Sequence, residues 1–309
     1  MVNPNNLIDL NGNNIYYINK PSYNLKGIQL QTISTTSQIY SLIQLPSGNL
    51  ASGCEDGIIR IYSTTSWNLT STIIHNPNSP VNALANLQNG YLASGADDSK
   101  IKIWNPSTST LINTLSQHTQ PVSSLIVLFN GDLVSGSYDY KAIIWNTNYW
   151  SVKFTLTGHS NWVLGLAQLQ NGNLVTAGYD SSIKIWNPTT GVQVNSITTL
   201  KNERTVTVFN NGTFATGSYN NNLEIWDVTT LTLKNFLRNH TARINSITQL
   251  QNDDIASCSS DSEIKIWDWN TATLKSTLTG HSSAIFASCL LENGYLATGS
   301  NDRSIIIWQ

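Results

Sequence analysis

A fifteen-residue phrase returns seven times along this chain. It runs from a turn residue to an aromatic: GNLASGCEDGIIRIY, GYLASGADDSKIKIW, GDLVSGSYDYKAIIW, GNLVTAGYDSSIKIW, GTFATGSYNNNLEIW, DDIASCSSDSEIKIW and GYLATGSNDRSIIIW. The closing aromatics are Tyr62, Trp104, Trp145, Trp186, Trp226, Trp267 and Trp308, spaced 42, 41, 41, 40, 41 and 41 residues apart. A residue found at one offset in every unit is a building element. Only what breaks the repetition is particular to this chain.

Each unit divides into short strands. In the unit that closes at Trp145, Val122 to Leu128 is apolar throughout, as suits a strand buried on both faces. Asn130-Gly131 follows, and this dipeptide predicts a two-residue hairpin turn with both central residues at positive φ. A second strand (DLVSGS) leads to a turn at Tyr138-Asp139-Tyr140, then to a third (AIIW). A more polar fourth, VKFTLTG, ends the unit and tolerates polarity as an edge. Gly stands fourteen residues before the closing aromatic in six units, and Asp253 takes the place in the other. The third strand alternates, as in Ile183 and Ile185 against Lys184. The recurrent Lys102, Lys184 and Lys265 predict a solvated strand face. No segment shows useful helical periodicity. Four strands per 40 residues, seven times over, predict an all-β ring: a seven-bladed propeller of antiparallel four-stranded blades over residues 25–309.

Charged residues make up only 11% of the 309, and the net charge is −2. There is no basic run, so neither nucleic acid nor an anionic membrane surface is an expected partner. No apolar stretch approaches the length of a membrane span. The N-terminus lacks a basic segment followed by an apolar one, which argues against a secretory signal. Cys54, Cys258 and Cys289 have no metal-ligand spacing and sit in strand-like phrases, as buried thiols do. A cytoplasmic, reducing location is therefore expected, with no cofactor, no metal, and a monomeric domain.

A polar set recurs with the aromatics. Six residues before each lies Asp56, Asp98, Asp139, Asp180, Asn220, Asp261 or Asp302. Ten before lies a hydroxyl: Ser52, Ser94, Ser135, Thr176, Thr216, Ser257 or Thr298. Twenty-seven before lies His118, His159, His240 or His281, and His75 fits once the extra residues at 76–79 are allowed. Ser, His and Asp invite a nucleophilic-triad reading. Their recurrence in unit after unit opposes it, because catalysis needs one exposed nucleophile. A buried indole N–H, hydroxyl and imidazole each need a partner, and a relay from Trp through Ser or Thr and His to Asp supplies them all.

At these residues the sequence resembles the WD-repeat β-propeller family. The resemblance covers roughly residues 25–309. Gly-His stands at 158–159 and 280–281, and Trp-Asp at 226–227 and 267–268. The resemblance implies that the Trp, Ser or Thr, His and Asp positions are that family's structural hydrogen-bonded tetrad. It says little about function, since such propellers share a scaffold and differ in partner. Unit one departs, with Thr35 for His and Tyr62 for Trp. Unit five departs too, with Thr199 for His and Asn220 for Asp, so weaker local order is expected there.

The chain stops one residue past the seventh aromatic, so the last blade lacks an outer strand. Residues 25–34 (LKGIQLQTIS) are placed to supply it beside Ser304 to Trp308, closing the ring. Residues 1–24 remain as an N-terminal extension. Within it, 6–18 reads as a hairpin turning at Asn11-Gly12: a vestigial partial repeat, or the trace of a longer array.

The loops that carry Asp and His should share one face around the channel mouth, where varying side chains are free to specify a ligand. The residue before each Asp or Asn is Glu55, Asp97, Tyr138, Tyr179, Tyr219, Ser260 or Asn301, so three successive blades present Tyr. Trp162 lies three residues after His159, and Arg243 three after His240. Tyr, Trp and Arg are enriched at binding hot spots. The expected function is a non-catalytic scaffold that binds a peptide or protein over Tyr138, Tyr179, Tyr219 and Trp162, with Arg243 across the mouth. The competing readings are that these aromatics merely pack over neighbouring loops, or that the disc binds carbohydrate or another small ligand. Trp67 and Trp150, five residues past a closing aromatic, are expected to pack under a turn on the opposite face or the rim.

Overall fold

A computed structural model describes residues 25–199, 201–209 and 212–309. The hairpin expected at 6–18 lies outside the described residues. Seven antiparallel four-stranded sheets stand in a ring. Blade one consists of Ile39–Gln44, Leu50–Cys54, Ile58–Tyr62 and Leu69–Ile74, from the channel outward. Blades two to six repeat this order, ending at Leu115, Thr157, Thr198, Arg238 and Leu278. In blade seven Gln29–Ser34 is the outer strand and pairs antiparallel with Ser304–Trp308, Ile33 opposite Ile305. The ends of the described chain thus close the ring, and Ile28 and Gln309 exchange backbone hydrogen bonds beyond the last pair.

Burial grades outward as the sequence pattern does. Every second strand is buried at each residue, for example Leu133–Ser137, because neighbouring blades cover both its faces. The outer strands are exposed apart from an occasional anchor such as Ile73, Leu156 or Leu237. Each apolar cluster straddles two adjacent blades, with a closing aromatic at its rim. Trp145 packs with Ala93, Ile101 and Ile103 of blade two, and Trp186 with Val134, Ala142 and Ile144 of blade three. The fold is therefore a series of inter-blade cores.

Two local expectations are corrected. The turn at Asn130-Gly131 is a three-residue loop closed by Leu128 N–H to Asp132 C=O at 2.8 Å, and only Gly131 has positive φ, at 86°. A type I turn followed by one left-handed residue gives this geometry and accounts for the recurrent Gly. In blade six the same place is held by Asp253 at φ 66°. Nor do the recurrent lysines form a solvated face. Lys265 is only 3% exposed and pairs with Glu263 at 2.7 Å, while the Lys102 ammonium donates to the carbonyl of His75 beside the Trp104 ring. Both faces of a blade meet a neighbour, so the lysine stems are enclosed and only their heads find polar partners. Trp67 and Trp150, at φ 60° and 55°, pack partly buried against the clusters of blades seven to one and two to three.

If ring closure rests on the N-terminal strand, Ile33→Ala should lower the unfolding free energy by about 2–4 kcal/mol in urea titration. The exposed neighbour Thr32→Ala should stay within about 0.5 kcal/mol of the parent.

Candidate functional site

Five blades contain a complete hydrogen-bonded relay. In blade three the Trp145 indole donates to Ser135 Oγ at 2.8 Å, Ser135 donates to His118 Nε2 at 2.7 Å, and His118 Nδ1–H donates to Asp139 at 2.8 Å. The same direction holds for Trp186, Thr176, His159 and Asp180 in blade four. It holds again for Trp267, Ser257, His240 and Asp261 in blade six, and for Trp308, Thr298, His281 and Asp302 in blade seven. In blade two Trp104, Ser94, His75 and Asp98 make the relay with the ring turned over, Nδ1 to Ser94 and Nε2 to Asp98. The loop after His75 is longer there and presents the ring from another angle.

Each aspartate also holds its own turn. Asp139 Oδ1 accepts the Lys141 amide at 3.1 Å, across Tyr140 at φ 71°. Asp98, Asp180, Asp261 and Asp302 do likewise. In blades three, four, six and seven the other oxygen takes the backbone amide after the histidine, as Asp180 does from Ser160 at 2.8 Å, and in blade two Asp98 takes the Asn76 side-chain amide instead. One carboxylate thus secures a left-handed turn, an imidazole and the next loop. Burial alone would raise these carboxyls, but bonds from the histidines and amides prevail, joined by the Ser182 hydroxyl at Asp180 and led by the Ser304 hydroxyl at Asp302. They hold Asp98, Asp139, Asp180 and Asp302 below the ordinary range, and Asp261 down to about 2. All five histidines are spent in this way.

The two departing units find other solutions. In blade one Asp56 is gripped by both guanidinium nitrogens of Arg60, at 3.0 and 2.6 Å, and Thr35 donates to Ser37 and Arg303 carbonyls. In blade five Trp226 still reaches Thr216, at 3.1 Å, but no imidazole follows. There Glu203, fully buried, replaces the Ile or Val that opens the innermost strand elsewhere. The hydroxyls of Thr216 and Thr199 face it without closing good hydrogen bonds. Burial first, then the charge of nearby Glu224, pushes the Glu203 carboxyl up to about 8.

The loops that carry the relays all lie on one face. One backbone bond recurs there in every blade: the residue before the Asp or Asn donates to the residue before the innermost strand, as Tyr138 does to Pro121, Tyr179 to Trp162, Tyr219 to Asn202 and Ser260 to Arg243. This bond fixes the residues singled out at the mouth. Tyr138 stacks on Trp162 with centroids 4.4 Å apart and planes 14° apart. Trp162 meets Tyr179 at 5.2 Å, and Tyr179 meets Tyr219 edge-on at 4.7 Å. Arg243 lies over Tyr219 at 5.5 Å and donates Nε–H to Ser260. The four aromatics form one continuous arc over blades three to five, each half-buried.

Sequence reasoning missed a second ring of mouth residues. The second residue of every innermost strand falls in a register shift: Tyr40, Asn82, Ser123, Leu164, Arg204, Asn245 and Phe286. A bulge re-aims its side chain, here toward the channel. Tyr40, Asn82, Ser123, Arg204 and Phe286 line a pocket of about 150 Å³ together with Tyr138, Tyr219 and Arg243. Tyr40 and Phe286 stack at 5.1 Å. The signal was available, since these seven positions share one offset and differ in chemistry. A larger cleft of about 380 Å³ on the opposite face, between blades one and two, has neither a charged nor an aromatic lining residue. Among the described residues no group of three His, Cys, Asp or Glu is placed to hold a metal ion, and no helix is long and apolar enough to cross a membrane.

The fold and relays define a seven-bladed β-propeller, and comparison with known proteins gives its family. The family model described as WD domain, G-beta repeat, matches residues 27–63, 67–105, 109–146, 150–187, 231–268 and 272–309. The chain belongs to this WD40 family, whose propellers generally mediate protein–protein interactions. The three inner strands of blade five, which lacks the histidine and aspartate, fall in the gap between matches. A crystal structure of the WD40 beta propeller domain of Doa1 is similar, with a TM-score of 0.83 and 23% identity over 91% of this chain and 96% of that one. No curated protein matches the chain.

The relay aspartates make stability fall in acid, and blade five adds a dependence of opposite sign. A carboxyl whose folded pKa lies above its unfolded value favours the fold fully below about pH 4.5, and that contribution is lost as pH rises through about 8. Glu203→Gln should therefore leave the melting temperature nearly unchanged at pH 4.5 and raise it by several degrees at pH 8.5, measured by calorimetry. An equal effect at both values would mean that the carboxyl is solvated.

Proposed function

We propose that this propeller is a non-catalytic interaction scaffold that takes a peptide or protein segment on the face carrying its Asp and His loops. The observation that supports this most is the arc from Tyr138 through Trp162 and Tyr179 to Tyr219. These positions hold other residue types in other blades, so the fold does not require aromatics there. They sit on a framework fixed by one recurring backbone bond, which suits preorganised recognition. Half-buried aromatics combine large contact area with a polar tip and lose little rotamer freedom.

Carbohydrate binding is the weaker reading. A sugar needs an open aromatic face, and Trp162 has Tyr138 on one side and Tyr179 on the other. Catalysis finds no support either, because each imidazole is already committed between a hydroxyl and a carboxylate. The three thiols are free, and burial pushes Cys258 up to about 12 and Cys289 to about 11, so they are poor nucleophiles. They suit a cytoplasmic, reducing setting.

Selection of a random linear peptide library on the immobilised chain, run beside a glycan array, tests this. Peptides should be enriched, and Trp162→Ala with Tyr179→Ala should reduce their binding at least tenfold, while the melting temperature falls far less than in Trp145→Ala. Binding unchanged by the double variant, or glycan capture without peptide capture, would overturn the proposal.

A further inference from the structure

The pocket at the mouth is electrically uneven. Arg204 and Arg243 project from blades five and six, and neither has a carboxylate partner among the described residues. By contrast, Arg60 is paired with Asp56 in blade one. Two uncompensated guanidinium groups in one small concavity are unexpected in a chain of net charge −2. Half-burial costs them hydration, and nothing in the relay network uses them. Arg243 is fixed by Ser260 through Nε and by the Tyr219 ring, and it lines the pocket with neither terminal nitrogen hydrogen-bonded among the described residues. Arg204 is placed by the register shift between Glu203 and Thr205.

The acids lie across the ring. Glu55 belongs to blade one and Asp97 to blade two, each at the position that carries Tyr in blades three to five. Asp97 accepts one bond from Asn82 at 2.8 Å, and Glu55 has no side-chain partner among the described residues. Glu55, Asp97 and Arg243 all act on Tyr40, and Arg204, Asp97 and Arg243 on Tyr138, so both signs of charge meet within one mouth and are separated only by the blades that carry them. The mouth is therefore bipolar, basic over blades five and six and acidic over blades one and two, with the aromatic arc and the Tyr40–Phe286 stack between.

We infer that the segment bound here carries one Asp or Glu, seats its carboxylate between Arg204 and Arg243, and directs a Lys or Arg toward Glu55 and Asp97. This rests on the reading of the mouth as a peptide site and adds the ligand's charge pattern and direction. The volume limits the occupant: about 150 Å³ is the space of about five waters, enough for one side chain of moderate size. Guanidinium groups recognise a carboxylate through paired N–H donors, and the Tyr138 and Tyr219 rings wall the pocket. The mouth holds as many acids as arginines, so its long-range field does not favour a dianion such as a phosphate. It favours a dipolar segment that pairs at both ends, and opposed charges fix the register of such a segment.

The test is the same random peptide selection on the full chain, repeated with two charge-altered forms. On the parent protein, enriched peptides should share an acidic residue at a fixed distance from a basic one. A resynthesised peptide with Asp→Asn or Glu→Gln at that place should bind about 10–100-fold more weakly by fluorescence anisotropy. Arg204→Glu with Arg243→Glu should exchange the acidic preference for a basic one, and Glu55→Lys with Asp97→Lys should remove the basic preference at the other end. Arg204→Gln with Arg243→Gln serves if charge reversal prevents folding, and should lose the acidic preference without gaining another. Enriched peptides that bind through Trp162 but have no acidic consensus would overturn this inference alone. So would an acidic consensus indifferent to both arginine variants, or a phosphopeptide preferred over its carboxylate counterpart at least tenfold. Failure to enrich any peptide would overturn the peptide-site reading, and this inference with it.

Discussion

The buried indole N–H governs this structure. Each blade closes on a large aromatic that cements two neighbouring sheets, and six of the seven are tryptophans. A tryptophan buried this deeply gains from placing its N–H on an acceptor, and in six blades that acceptor is a hydroxyl on the adjoining strand. In five blades that hydroxyl donates in turn to an imidazole, and the imidazole's second nitrogen donates to a carboxylate. The carboxylate sits on a left-handed turn that it also pins. One donor in the core is thus tied to three further residues, two in the same sheet and its turn and one in the loop that leads into it, and their repetition marks the period of the ring.

The same logic explains where the period fails. Blade five keeps its tryptophan and hydroxyl but loses the imidazole and the carboxylate. It buries Glu203 instead, a group that stays there by holding its proton. Blade one replaces the tryptophan with Tyr62, and its aspartate turns to Arg60. Both substitutions keep the four-stranded sheet, because inter-blade packing of Ile, Val and Leu continues through them. Apolar contact builds the blades, and the relays fix how one loop sits against the next.

Much of this was legible in the chain itself. Strand number, ring closure by a strand within residues 25–34 and the relay positions all follow from offsets that recur, although the strand itself begins only at Gln29. The aromatic arc and Arg243 were legible for the opposite reason, since they occupy repeated positions with unrepeated residues. What stayed hidden was geometry that leaves the period unchanged. A bulge at the second residue of each innermost strand shifts the ladder without lengthening the unit, so Tyr40, Arg204 and Phe286 read as ordinary strand residues. Asn130-Gly131 carried the signature of a shorter turn than the one it makes. The lysines looked solvated because alternation within a strand does not reveal that a second blade covers the far side.

Hydrogen exchange of the indole protons, followed by two-dimensional NMR, measures the central claim most directly. Trp104, Trp145, Trp186, Trp267 and Trp308 should exchange only when the whole ring opens. Trp226, whose relay ends at Thr216, should exchange faster, and Trp162 at the mouth fastest of all. Five relay indoles that exchange as quickly as Trp162, or a Trp226 as protected as the others, would contradict the account.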